Sequence, residues 1–199
     1  MPTGSFYGTY GIDVKGTDTV FLGIPFVSPN CYAYSWSSGW GTKYADPASI
    51  PGNAYDVSYS SSASAVAYAS GSSTAVYPWS SGFGTKYADP ASGSFGNNVL
   101  FHTSGQSIIS NTTATNPYPI SWAWSSGFGT RHANAASITG ASIFSNTSVL
   151  SDDGKIFGIA FDYASPYYAL YSYTSSNGFG FKYSIPAYST SPTYSIAFK

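Results

Sequence analysis

The chain has 199 residues, a formal net charge of -1, 8% charged residues and 19% aromatic residues. Charges this few and this scattered leave no basic footprint for nucleic acid or anionic lipid, and one cysteine leaves no intrachain disulfide. An apolar content of 43% is too high for a disordered chain, while Tyr, Phe, Ser, Gly and Pro in place of helix formers, with no Glu, predict an all-β fold.

Met1 to Ser5 carry no basic region followed by an apolar run, so neither a signal peptide nor a membrane span is expected. Gly11 to Val14 reads as a leading strand, followed by Thr19 to Phe26 and by Cys31 to Trp36, in which Cys31 is expected to be a small buried hydrophobe. Thr42 to Tyr44 then makes a short closing strand. The succession returns as Asp56 to Tyr59, Ser64 to Ala69, Thr74 to Trp79 and Thr85 to Tyr87. It returns again as Asn98 to Phe101, Tyr118 to Trp124 and Thr130 to His132, and last as Lys155 to Phe161, Tyr168 to Tyr173 and Phe181 to Tyr183. Asp152-Asp153-Gly154 reads as a hairpin turn. Ser195 to Phe198 resembles a leading strand once more, which leaves one such strand surplus.

The recurrence has a sharp core. Trp-Ser-Ser-Gly-(Trp/Phe)-Gly-Thr-(Lys/Arg)-(Tyr/His)-Ala-(Asp/Asn) begins at Trp36, Trp79 and Trp124, and a worn copy runs from Tyr173 to Pro186. Units of this kind, spaced by roughly 40–50 residues and made of short alternating strands, are the signature of propeller blades. The expectation is one β-propeller domain over residues 1–199, with blades at 5–49, 50–92, 93–138 and 139–190 and a closing or exchanged strand at 191–199. A closed ring of four blades is the first choice, and a ring of eight blades made by two chains the second. Glycines on both sides of the aromatic are expected to supply positive φ in the turn.

Within each copy two kinds of residue recur. Trp36, Trp40, Trp79, Phe83, Trp124, Phe128, Tyr173 and Phe179 are expected to be structural anchors between blades, because one aromatic ring buries about 150–250 Å². Lys43 with Asp46, Lys86 with Asp89, and Arg131 with Asn134 form polar pairs, and Lys182 keeps the positive member while Ile185 replaces its partner. These are either solvated pairs beside a turn, worth about 0–1 kcal/mol each, or a ring of positive groups on one face suited to an anionic or hydroxyl-rich ligand or a partner.

Catalytic chemistry finds no set of residues to carry it. Gly41-Thr42-Lys43 and Gly84-Thr85-Lys86 lack the spacing of a phosphate loop and no helix follows them. His102 and His132 are the two histidines, and His132 stands where Tyr44, Tyr87 and Tyr183 stand in the other copies. With one Cys and no Glu, neither a zinc set nor an EF-hand is spelled out. No catalytic residue, cofactor or metal is therefore expected.

The segment Val76-Tyr77-Pro78-Trp79-Ser80-Ser81-Gly82-Phe83-Gly84-Thr85-Lys86-Tyr87-Ala88-Asp89-Pro90 resembles the unit of the WD40-like β-propeller repeats encoded by tailed bacteriophages. The resemblance extends over the first and third copies and weakly over the fourth, where Tyr173 replaces Trp, a residue is added before Asn177-Gly178, and Ile185-Pro186 replaces Asp-Pro. It implies a virion structural component such as a capsid decoration, fibre or tail protein, made in the host cytoplasm and partnered by other virion proteins or copies of itself. No catalytic residues come with it. A lectin-like propeller that binds host-surface glycan is the alternative, since repeated Trp, Tyr, Asp and Asn also suit sugar rings.

Overall fold

The computed structural model describes residues 10–49, 51–90, 96–111, 119–137, 145–161, 167–184 and 196–198. The expected all-β class is found, and the described residues contain no helix. They form four antiparallel meander sheets in chain order. Sheet I holds β1 (Gly11–Lys15), β2 (Thr19–Gly23), β3 (Cys31–Trp36) and β4 (Trp40–Lys43). Sheet II holds β5 (Asp56–Ser60), β6 (Ala65–Ala69) and β7 (Thr74–Pro78). Sheet III holds β8 (Val99–Phe101), β9 (Ser107–Asn111), β10 (Pro119–Trp124) and β11 (Phe128–Arg131). Sheet IV holds β12 (Ser145–Leu150), β13 (Ile156–Phe161), β14 (Tyr168–Thr174) and β15 (Gly178–Lys182).

Successive side chains of a strand point to opposite faces, and each sheet uses its two faces differently. In sheet II, Val66, Tyr68 and Tyr77 join Phe21, Cys31 and Ala33 of sheet I in one core. The other face of sheet II, Ala65, Ala67, Ala69 and Val76, joins Val99, Ile108, Ile120, Trp122 and Trp124 of sheet III. Sheet III in turn presents Ile109 to Phe157, Ile159, Tyr171 and Tyr173 of sheet IV. Bulky residues thus face the preceding sheet and smaller ones face the next sheet of the middle interface. Residues that would read as strand interiors in isolation become packed on both sides, with β6 buried along its whole length.

The leading strands follow one another closely. β5 crosses Gly11 so tightly that a Cβ there would lie 2.6 Å from the Asp56 Cα, which is why glycine stands at that position. Polar clasps tie these strands together: the Tyr59 N–H donates to Asp13 Oδ2, the Val99 N–H to Asp56 Oδ2 at 3.0 Å, and the Phe101 N–H to Ser58 Oγ at 3.0 Å.

Three sequence expectations need correction. The closing strand expected at Thr85 to Tyr87 is absent from sheet II, where Trp79 and Phe83 make an isolated bridge instead. The cause is Pro78. It takes the ladder position of Ser35 in sheet I, whose N–H faces the fourth strand, and proline has no N–H to give. The segment still runs alongside, held by Gly84 N–H to Pro78 O and Tyr87 N–H to Val76 O, each 2.9 Å. Second, the turn's positive φ falls on Ser81 (76°) and Ser126 (73°) and on the first glycine of the second, third and fourth triplets, Gly82, Gly127 and Gly178, and not on both glycines of any triplet. The second glycine serves close approach: a Cβ on Gly84 would meet Pro78 Cγ at 2.6 Å, and one on Gly41 would meet Ser35 Oγ at 2.3 Å. Third, β9 and β12 are strands that the sequence reading passed over. Of the surplus terminal strand, residues 196–198 are described and carry no ladder pairing, while Ser195 and Ile185 lie outside the described residues.

Candidate functional site

In the second, third and fourth copies the repeated aromatic is a plug that fills a socket on the preceding sheet. Trp79 is 3% exposed and meets Phe21 and Tyr44 of sheet I edge to face at 4.7 and 5.0 Å, with Phe83 of its own sheet at 5.0 Å. Trp124 is buried likewise against Tyr87 of the preceding repeat at 5.1 Å, with Phe101 and Phe128 beside it. Tyr173 occupies the corresponding place in sheet IV. Its ring lies 5.6 Å from the His102 ring and 4.9 Å from Phe179, and its hydroxyl donates to Ser107 Oγ at 2.9 Å. The substitution of Trp by Tyr in the fourth copy thus comes with a hydrogen bond across the sheets.

A second contact uses the loop that follows the repeat motif. The Tyr77 hydroxyl donates to Ser49 O and the Tyr171 hydroxyl donates to Ala136 O at 2.7 Å. Ser49 and Ala136 belong to the Ala-Asp-Pro-Ala-Ser loop and its counterpart in the third copy, so the loop receives the next sheet's tyrosine. Burial pushes both phenols well above the ordinary tyrosine range, and they remain donors at all ordinary pH.

The first copy breaks the pattern. Trp36 and Trp40 meet each other at 5.4 Å and are 36% and 38% exposed. With Ile12 (62% exposed), Val14 (52% exposed), Thr17 and Val20 they line a mostly apolar groove of about 360 Å³ on the face of sheet I that points away from sheet II. At the opposite end of the chain, Phe181 is exposed and packs edge to face on Tyr183 at 4.5 Å.

The charged candidates are engaged locally. Lys43 pairs with Asp46 at 2.6 Å and lies 4.8 Å from the centre of the Tyr32 ring. Lys86 pairs with Asp89 at 2.7 Å, and Arg131 Nη2 donates to Asn134 Oδ1 at 2.6 Å. Lys182, without its acidic partner, donates to Ser137 O of the preceding repeat's loop at 3.4 Å. Each pair closes the turn out of the motif, three residues apart. Lys86 and Asp89 also line a cleft of about 560 Å³ with Ala48, Ser49, Phe83 and Tyr87, at the junction of the first loop with sheet II.

The histidines and the cysteine are engaged or buried within the sheets. His132 Nδ1 lies 2.9 Å from Ser121 Oγ, and burial holds its pKa below the usual imidazole value. His102 Nδ1 lies 2.8 Å from Ser104 Oγ, and its Nε2 lies 3.2 Å from Gly154 O. Cys31 is buried, with its thiol pushed up to about 12 by that burial, so it is not a nucleophile at ordinary pH. Asp56 was missed by sequence reasoning. It is partly buried, and desolvation raises its carboxyl from 3.8 to about 7 against the opposing pull of the Val99 and Val57 N–H groups.

No family model matches the chain, and no curated protein matches it. Solved structures do. A chain of a nidogen/laminin complex is similar over 85% of this chain and 61% of its own length, with a TM-score of 0.64 and 8% identity. A putative 6-phosphogluconolactonase from Bacteroides uniformis covers 85% of this chain and 52% of its own, with a TM-score of 0.61 and 10% identity. A functionally unknown protein from Desulfotomaculum acetoxidans covers 87% and 54%, with a TM-score of 0.60 and 12% identity. At these identities the likeness is one of fold, and the chain spans between half and two thirds of the length of each of these structures.

Proposed function

We propose that the four sheets are successive blades of a β-propeller and that the chain is a non-enzymatic structural component of a bacteriophage particle, a capsid decoration, fibre or tail protein that holds other virion proteins or copies of itself. One observation carries this reading: the repeated aromatic is buried between sheets at Trp79, Trp124 and Tyr173 and turned outward at Trp36. The motif that dominates the sequence is used for joining sheets, and its first copy is left for a further joint. The resemblance of residues 76–90 to phage-encoded repeats supplies the particle. Mass spectrometry of gradient-purified phage particles tests it, with the chain recovered at stoichiometric yield as the expected result and its confinement to the unassembled fraction as the contrary one.

A glycan-binding reading draws on one feature, the exposed Trp36 and Trp40 pair beside Thr17 and Thr19. It predicts one site per chain rather than one per repeat, because the equivalent Trp79 and Trp124 are buried. A glycan array on which Trp40→Ala abolishes a specific signal would favour it over the scaffold.

A further inference from the structure

We propose that the exposed face of sheet I is the docking surface for sheet IV of a second copy of this chain, so that two chains associate head to tail and close an eight-sheet ring. The inference rests on the reading of the sheets as successive blades, and it names the partner. A plug aromatic joins successive sheets three times within one chain. In two of them the plug aromatic enters a socket walled by the tyrosine that ends the repeat before it, Trp79 at Tyr44 and Trp124 at Tyr87; in the third, Tyr173 meets His102 instead, while His132, the counterpart of those tyrosines, lies against Gly178 of the next motif.

Among the described residues, Trp36 is the same plug without a sheet before it, and Tyr183 the same wall without a sheet after it. Their registers match the internal joints. The Tyr44 N–H donates to Ala33 O and the Tyr183 N–H to Leu170 O, both at 2.9 Å, so the two tyrosines stand at one position of their sheets. Ile12 is likewise the counterpart of Val57, which is 4% exposed and packed with Phe21 and Cys31 of the preceding sheet, whereas Ile12 is 62% exposed. A head-to-tail contact of this kind is heterologous: it joins two different patches and closes when the rotation per copy allows. The described chain fills between half and two thirds of the length of the solved structures that share its fold, so two copies supply what one arc lacks.

The receiving face of sheet IV holds a resident. Gly158 stands where Phe21 stands in sheet I, as its pairing with Leu170 matches that of Phe21 with Ala33. Ile196 Cδ1 lies 2.9 Å from where a Gly158 Cβ would be. The segment at 196–198 therefore sits in the place that the leading strand of a following sheet takes. Docking of the second copy replaces Ile196 with that copy's Ile12, which gives the surplus terminal segment a role as a competitor of its own assembly.

Light scattering on the full chain at its highest soluble concentration tests the proposal, with a mass twice 20.9 kDa expected and a mass of one chain contradicting it. Val14→Lys, on an exposed side chain, is expected to weaken association at least tenfold with an unchanged circular dichroism spectrum; a dimer indifferent to it overturns the assigned face. Ile196→Ser is expected to raise the dimer fraction at a given concentration, and a fraction that stays or falls contradicts the exchange. Orientation is read by cross-linking Thr17→Cys chains mixed with Asp152→Cys chains, both at exposed turn residues. A covalent dimer in the mixture and none in either variant alone is head to tail, and dimers of one variant alone contradict it. A monomer in every test overturns this inference while leaving the scaffold reading, which is judged in purified particles.

Discussion

Asp56 is the residue where burial and chemistry pull hardest against each other. Its carboxylate accepts the Val99 N–H from the next sheet, yet desolvation raises it from 3.8 to about 7. The sign follows from proton linkage: the folded chain holds a proton between about 4 and 7 that the unfolded chain has lost, so this group stabilises most below pH 4, and its contribution is lost as pH rises through 7. Asp13, also raised by burial, acts in the same sense, whereas His132, lowered by burial, acts in the opposite one. The difference between wild type and Asp56→Asn isolates the group. Thermal melts from pH 4 to 8 are expected to show wild type losing stability relative to Asp56→Asn as pH rises, and a constant difference contradicts the assignment. Nothing in the sequence showed this, because Asp at the head of a strand reads as a turn residue until the neighbouring strand is seen to cover it.

At the scale of elements, the sequence made several strands legible through period-two alternation, as in Cys31 to Trp36 and Tyr168 to Tyr173. It hid two others. β9 reads Ser-Ile-Ile-Ser-Asn and β12 reads Ser-Asn-Thr-Ser-Val-Leu, compositions that suit turns. In β9 the polar residues are buried with partners: Ser110 Oγ donates to Asn98 O at 2.8 Å, and the Asn98 N–H donates to Asn111 Oδ1 at 3.2 Å. Those partners come from elsewhere in the chain, so local pattern does not reveal them. The opposite error, a fourth strand expected in sheet II, came from overlooking a proline on the paired strand. Pro78→Ser is expected to restore the missing donor and complete that ladder, an added bond worth about 0.5–1.5 kcal/mol, partly offset by the greater freedom of the unfolded chain. Hydrogen exchange is the measurement: a protected amide at residue 78 is the expected result, and one that exchanges at the rate of a free peptide contradicts it.

For the whole molecule, the fourfold recurrence was legible as a series of like units, and Trp79, Trp124 and Tyr173, expected as anchors, are buried. Which copy would differ was not legible, since Trp36 lies in a motif almost identical to that of Trp79; its difference comes from position in the series, not from local sequence. The same holds for the charged residues. A ring of like charges was one reading of Lys43, Lys86, Arg131 and Lys182, but each is engaged with an acceptor of its own turn or of the loop before it. The central claim is that one repeated side chain is a joint wherever a described sheet precedes it and stands exposed at Trp36, where none of the described sheets does. Equilibrium unfolding of Trp36→Ala, Trp79→Ala and Trp124→Ala, each in the Val14→Lys background that keeps the chain single, tests this most directly. The account predicts losses of about 3–5 kcal/mol at Trp79 and Trp124, as for other large cavities, and less than about 1 kcal/mol at Trp36, as for a partly exposed side chain. Equal losses at all three positions would contradict it.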